Sequence, residues 1–319
     1  MFHSQFICLY RFFMSAERNR EMKNKLQKLT LWEIAVMAAV MLIVRIWQLS
    51  TAIDYDTGFF IRESGFLPYL LYVLLGVQLV ACIVLITFDS KRKNVAITRN
   101  AQSLTPNQVL VIGVSLLAGA VFSFLQLTLD FTKTDLAFFV NVLVFLTYLI
   151  AAFLLLSRKK VRESAGFVVI VLPVSYTLKA GTLFMSDTVI VRVSDELLPL
   201  LTYIAAVMFF LCLGRYLSGS EAAHSRHKMI FFACAAFVLS TVSTAVKYPM
   251  YLIGNPEAVA QMKAPQISEL GIWAVSLAVL VVLYQKNKDG VGFGDSEAVN
   301  EPQAEPVKAE EAAPVTEEQ

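Results

Sequence analysis

The chain has 319 residues, 57% of them hydrophobic and only 16% charged, and its mean hydropathy is +0.62. A soluble globular chain carries about 45–50% apolar and about 25% charged residues, so that class is excluded and the apolar excess belongs in membrane spans. The formal net charge of +2 conceals segregation, with basic residues between the apolar runs and acids in the tail; no polar segment is long enough to bury a core of its own.

Residues 1–28 form a basic cytoplasmic N-terminal segment (Arg18, Arg20, Lys23, Lys25, Lys28). Its apolar start, Phe2 to Phe13, is short, is broken by Arg11 and lacks the small-residue cleavage site of a secretory signal. Translation is expected to begin at Met14 or Met22. Apolar runs of roughly 20 residues then follow, each suited to about 30 Å of hydrocarbon. They occupy Leu31–Leu49, Phe66–Phe88, Thr105–Leu129, Leu136–Leu156, Ala165–Met185, Leu197–Leu217, Met229–Ile253 and Ile267–Tyr284. In hydrocarbon a span must satisfy its own backbone, so the fold class expected is an all-α bundle of eight transmembrane helices within residues 29–288. Thr105-Pro106-Asn107-Gln108 reads as a capping box with proline at the first helical position. Pro173 predicts a kink in the fifth run. Four outward and four inward helices permit two parallel four-helix repeats, with Arg45 and Lys179 at matching places.

Lys and Arg set the orientation. One side has the N-terminal cluster, Lys91-Arg92-Lys93, Arg158-Lys159-Lys160, Arg215, Arg226, Lys228, Lys286 and Lys288; the other has only Arg62, Lys133, Arg192 and Lys263. Both termini are therefore expected inside. Residues 289–319 are rich in Glu, Ala, Pro and Val without an apolar period. That composition does not repay ordering, and a disordered acidic cytoplasmic tail is expected.

Cys82, Cys212 and Cys234 fall in or near the inner halves of their spans, away from the oxidising side, and no disulfide is expected. No metal-ligand spacing occurs; His224 and His227 lack a third ligand and read as part of a solvated loop. No cofactor and no nucleic-acid partner are expected.

The outward-running helices carry polar residues at a similar depth. The first has Arg45 and Gln48; the third has Ser115, Gly119, Ser123, Gln126 and Asp130 at three-to-four spacing. The fifth has Ser175, Lys179, Thr182 and Ser186; the seventh has Ala236, Ser240, Thr244 and Lys247. Small residues let helices approach, and a long cation can snorkel to the headgroups, so a purely structural layer is one reading. In the other, Arg45, Gln48, Gln126, Lys179 and Lys247 line an outward-facing pocket for an anionic solute such as a carboxylate or phosphate. Asp54, Asp56, Asp130 and Asp187 would form an outer acidic layer that pairs with the cations. Asp54-Tyr55-Asp56 also has the D-x-D form of membrane glycosyltransferases that use lipid-linked sugars, but no nucleophile–base set or phosphate loop accompanies it. An enzyme of that kind is the least favoured reading, and no catalytic residue is assigned.

The arrangement Arg45…Gln48…Ile53-Asp54…Thr57-Gly58-Phe59-Phe60, with the later run Phe210…Leu213-Gly214-Arg215-Tyr216…Gly219, is similar to multi-pass membrane proteins of anaerobic Firmicutes that have no assigned activity. The resemblance implies a bacterial plasma membrane and carries over no functional residue. The functional expectation is a small transporter or sensor for an anionic small molecule; a sensor would need a protein partner, reached through the acidic tail, which otherwise reads as a solvated segment with no specific role. The alternative is a structural or accessory membrane subunit without a ligand.

A fluorescent protein fused after Gln319 is expected to fluoresce in the cytoplasm, and alkaline phosphatase inserted at Gly58 is expected to be active outside. A dark C-terminal fusion combined with an inactive phosphatase would reverse the orientation.

Overall fold

The computed structural model describes residues 32–51, 65–90, 105–129, 136–157, 162–186, 193–218, 225–253 and 266–284. Segment 1–28 and tail 289–319 lie outside these residues. Among the described residues all regular structure is helical. The elements are α1 (Trp32–Thr51), α2 (Leu67–Ser90), α3 (Pro106–Leu129), α4 (Leu136–Leu156), α5 (Arg162–Val169) and α6 (Val171–Ser186). They continue with α7 (Val193–Leu217), α8 (Ser225–Ser240), a π-helical segment (Thr241–Ala245), α9 (Lys247–Ile253), a 3-10 turn (Ile267–Glu269) and α10 (Leu270–Tyr284). Six helical stretches are long and apolar enough to cross a membrane: Trp32–Thr51, Pro106–Leu129, Leu136–Leu156, Ser164–Phe184, Leu197–Leu217 and Lys228–Met250. Tyr69–Val84 and Ile267–Leu283 are apolar but shorter.

Burial shows what surrounds the bundle. On α3 the inward face includes Gln108, Ser115, Gly119, Ser123 and Gln126, whereas Leu110, Val114, Leu117, Val121 and Phe124 are exposed. On α4 the inward face carries Asn141, Thr147 and Tyr148 and the outward face Phe139, Leu146, Ile150 and Phe153. Polar residues inside and large apolar ones outside invert the pattern of a soluble helix. This is the organisation of a multi-pass membrane protein, where lipid covers the outer face and small or polar residues mediate helix contacts.

The packing order closes a ring. α3 packs on α4, α4 on α5 and α6, these on α7, α7 on α8, α8 on α10, and α10 back on α3. α2 packs against α8 from outside the ring. Leu49 of α1, with Leu42 and Ile46, packs on Val246 and Met250. The two halves of the chain are therefore not packed alike: α1 and α2 flank the ring, while α5, α6 and α7 belong to it. The Lys228–Met250 stretch is 72% buried against 33% for α1, because α7 and α10 flank it in the ring while α2 and α1 cover it from outside. Inside the ring Phe210 stacks on Tyr176 at 5.6 Å between centroids and meets the edge of Tyr148 at 5.9 Å. The two tyrosine hydroxyls close this layer with a 3.0 Å hydrogen bond.

Local chemistry explains the breaks. Thr105 and Gln108 form the reciprocal capping box: Gln108 N–H donates to Thr105 Oγ1 (3.4 Å) and Thr105 N–H to Gln108 Oε1 (3.0 Å). The fifth apolar run is interrupted at Ile170, between α5 and α6. Pro173 has no N–H for the Val169 carbonyl, and its ring crowds that carbonyl, which places the predicted kink one turn before the proline. Pro249 likewise withholds an N–H from Ala245. The helix widens just there, into the π segment, where Val246 N–H reaches Thr241 O at 3.0 Å.

α5 and α7 cross with their backbones in contact at Gly166 and Gly214. A Cβ on Gly166 would stand 2.4 Å from Ser218 N and 2.7 Å from Gly214 O, and neither backbone atom can move aside independently. Gly166→Ala is expected to cost about 1–3 kcal/mol by overpacking. Gly76→Ala and Gly181→Ala, where a Cβ would meet nothing within 4 Å, are expected to be neutral or slightly stabilising. Thermal unfolding of the three purified variants in detergent distinguishes these outcomes.

Candidate functional site

Among the described residues four charged side chains are buried, and all lie at the end of the bundle where α1 and α3 finish and α10 begins. They are Arg45 (2% exposed), Lys179 (5%), Lys247 (7%) and Glu269 (5%). A charge at such depth costs about 2.5–3.5 kcal/mol on insertion scales, so its surroundings must compensate.

Glu269 is the centre. It closes the 3-10 turn that starts the α10 segment. Tyr203 of α7 donates its hydroxyl to Oε1, and Thr244 of the π segment donates its hydroxyl to Oε2. The Tyr203 hydroxyl also lies 3.4 Å from Gln266 Oε1. The hydroxyls behind Thr244 follow a fixed direction. Thr202 spends its one proton on Leu198 O at 2.8 Å, so the 3.0 Å contact between Thr202 and Ser243 needs the Ser243 proton. Thr241 donates to Phe237 O and accepts from the Trp273 indole at 3.1 Å.

Lys179 joins the cluster from α6. Its Nζ donates to Ser268 Oγ at 2.8 Å and sits 5.8 Å from the Tyr176 ring centroid, within cation–π range. Tyr176 in turn stacks on Tyr203 at 6.0 Å, so one aromatic pair backs both the lysine and the glutamate. Gln126 of α3 accepts the Ile267 N–H at 2.8 Å and so caps the turn that carries Ser268 and Glu269. α3 and α10 come close enough for this because Gly119 faces Gly271: a Cβ on Gly271 would lie 3.1 Å from Gly119 Cα.

The sequence-based set is therefore partly assembled. Of its five residues, Gln126 and Lys179 converge on the turn Ile267–Glu269, Thr244, outside that set, reaches Glu269 as well, and Lys247 follows one turn after Thr244. Arg45 and Gln48 stand on the α1 flank. There Arg45 Nη1 donates to Gln48 Oε1 at 3.3 Å, and Gln48 Nε2 donates to Leu67 O at 2.7 Å. Asp54, Asp56, Asp130 and Asp187 lie outside the described residues. Among the described residues no three His, Cys, Asp or Glu side chains gather as a metal site.

Glu269 and Tyr203 are absent from that set. An acid two residues into an apolar run, just after Pro265-Gln266, reads as a loop residue. The available signal was that Ile267-Ser268-Glu269 already belongs to the hydrophobic period. Tyr203 gave no signal, because a tyrosine in an apolar run reads as ordinary core.

The arrangement can hold a small charged group. It offers the Lys179 ammonium, one carboxyl and a bank of hydroxyls, with the buried Lys247 one turn beyond Thr244, set where two elements leave regular α geometry: the π segment and the 3-10 turn. Irregular helices around a buried charge are how membrane proteins build solute and ion sites. Comparison with protein-family models, with curated proteins and with solved structures finds no match to the chain.

Glu269→Ala strands two buried hydroxyls and is expected to destabilise the protein by about 2–4 kcal/mol, while Tyr203→Phe, which removes one donor to the carboxyl, should cost about 1.5–3 kcal/mol. Thermal melting of the purified variants checks this, and wild-type melting of both would mean that the carboxyl group is not held as described.

Proposed function

We propose that the protein is a solute carrier or solute-sensing receptor of the bacterial plasma membrane, with eight spans and both termini inside. Its site, in the outer half, accepts a small carboxylate- or phosphate-bearing molecule at Lys179 and Lys247. The observation that carries this reading is the Glu269 carboxyl group, buried between Tyr203 and Thr244 beside Lys179. Buried ionisable groups inside a membrane bundle mark substrate or ion paths more often than they mark scaffolding. Arg45 and Gln48 extend the same polar end on the α1 flank.

Because Glu269 adds an acid to the two lysines, an amino acid, with one charge of each sign, is the first compound class to screen. Transport needs polar groups in the other leaflet too. Gln78 and Gln108 are buried there and Glu33 is half-buried, which favours a carrier over a one-sided receptor. The acidic tail is where a protein partner would attach.

The competing reading is an accessory subunit in which the charged layer only locks helices together. It has its own support, because both oxygens of Glu269 already have protein donors.

A thermal-shift screen of amino acids, carboxylates and phosphate esters separates the two. A ligand at a hundred times its Kd stabilises by about 2.7 kcal/mol, and this gain should vanish in Lys247→Ala and in Glu269→Gln. A screen without any stabilising compound would favour the accessory role.

A further inference from the structure

The half of the bundle away from Glu269 holds a second polar cluster, in which Gln78 and Glu33 stand beside two cysteines to which the proposed function gives no part. On α2 the buried residues Leu71, Gln78 and Cys82 share one face, while Val73, Val77, Val80 and Ile83 are exposed on the others. Cys82 Sγ lies 3.1 Å from Cys234 Sγ of α8, and both thiols are free and buried. Gln78 Nε2 donates to both sulfurs, at 3.5 Å each, and lies 3.4 Å from Glu33 Oε2 of α1. Cys234 precedes Thr244 by ten residues, hence about 15 Å along a helix.

We propose that Cys82 and Cys234 form a redox-active dithiol whose oxidant is a membrane quinone. A single buried cysteine is usually just a small apolar side chain. Here two of them, 152 residues apart in sequence, bring their sulfurs together. A third position supplies an amide that touches both. Its two amide hydrogens face three acceptors, the two sulfurs and Glu33, while its buried Oε1 has no hydrogen-bond partner among the described residues.

The reaction balances as follows. The Cys82 and Cys234 S–H bonds break and one S–S bond forms. Two electrons and two protons pass to the quinone, which leaves as the hydroquinone. The location selects the class of oxidant. Cys82 and Cys234 are buried, and Leu79, Ile83 and Val84 beside Cys82 on α2 are exposed on the apolar outer surface of the bundle, so the oxidant nearest the pair is a two-electron acceptor dissolved in lipid. The product ties α2 to α8, the element that continues into the π segment.

The test uses the full chain in its membranes. They are treated with a fully substituted short-chain ubiquinone, which cannot alkylate thiols, then quenched in acid, denatured and labelled with a polymer-linked maleimide. The sequence has cysteines at positions 8, 82, 212 and 234, and a product begun at Met14 or Met22 would lack Cys8. The reduced protein should carry one tag per cysteine and the quinone-treated monomer two fewer: four falling to two from Met1, or three to one from the later starts. Dithiothreitol should restore the full number. Cys82→Ser and Cys234→Ser should each carry the same number before and after treatment, while Cys212→Ser should lose two tags. An unchanged tag number on quinone-treated wild type would overturn the proposal, as would a loss of two tags in Cys82→Ser.

Discussion

A carboxyl group among membrane helices has no solvent to bond with, so the protein must supply every partner. Glu269 meets that constraint through Tyr203 and Thr244, and much of the surrounding architecture follows from it. Thr244 reaches the acid from a π segment, and Ser268, next to the acid, receives Lys179. Tyr203 is backed by Tyr176, which stacks in turn on Phe210 at the middle of the ring. The polar end and the aromatic core are thus one packed unit. A group displaced at either would be felt at the other, since close-packed interiors transmit strain.

The irregular helices are consequences of particular prolines. Pro173 and Pro249 each withhold one N–H, and in hydrocarbon the freed carbonyl and the altered turn must be accommodated nearby. The chain places hydroxyl residues near both affected turns: Ser175 and Thr177 after one break, Ser240, Thr241, Ser243 and Thr244 around the other. Ser175, Thr177, Ser240 and Thr241 donate to backbone carbonyls, Ser243 pairs with Thr202, and Thr244 donates to Glu269.

Much of this was legible in the sequence, and the residues show why. Hydrophobic runs gave the helices because a span must be long and apolar. The period of Ser115, Gly119, Ser123 and Gln126 gave the buried face of α3, because in lipid polarity marks the inside. Lys179 and Lys247 were readable for the same reason. What stayed hidden needed the third dimension. Gln126 reads as a pocket lining yet spends its carbonyl on the backbone of Ile267. Glu269 sits at the start of its run, where an acid looks like loop. Cys82 and Cys234 are joined only by the packing of α2 on α8.

The cap at Ile267 bears on how the molecule is assembled. Gln266, at the start of that turn, makes no side-chain cap of its own, so the Ile267 N–H waits for α3, made 141 residues earlier. α3 and α10 are the first and last members of the ring in order of synthesis, and their contact is the one that closes it. The seam between them cannot close before α10 has been made, and the hydrogen bond from Ile267 to Gln126 is part of what holds it shut.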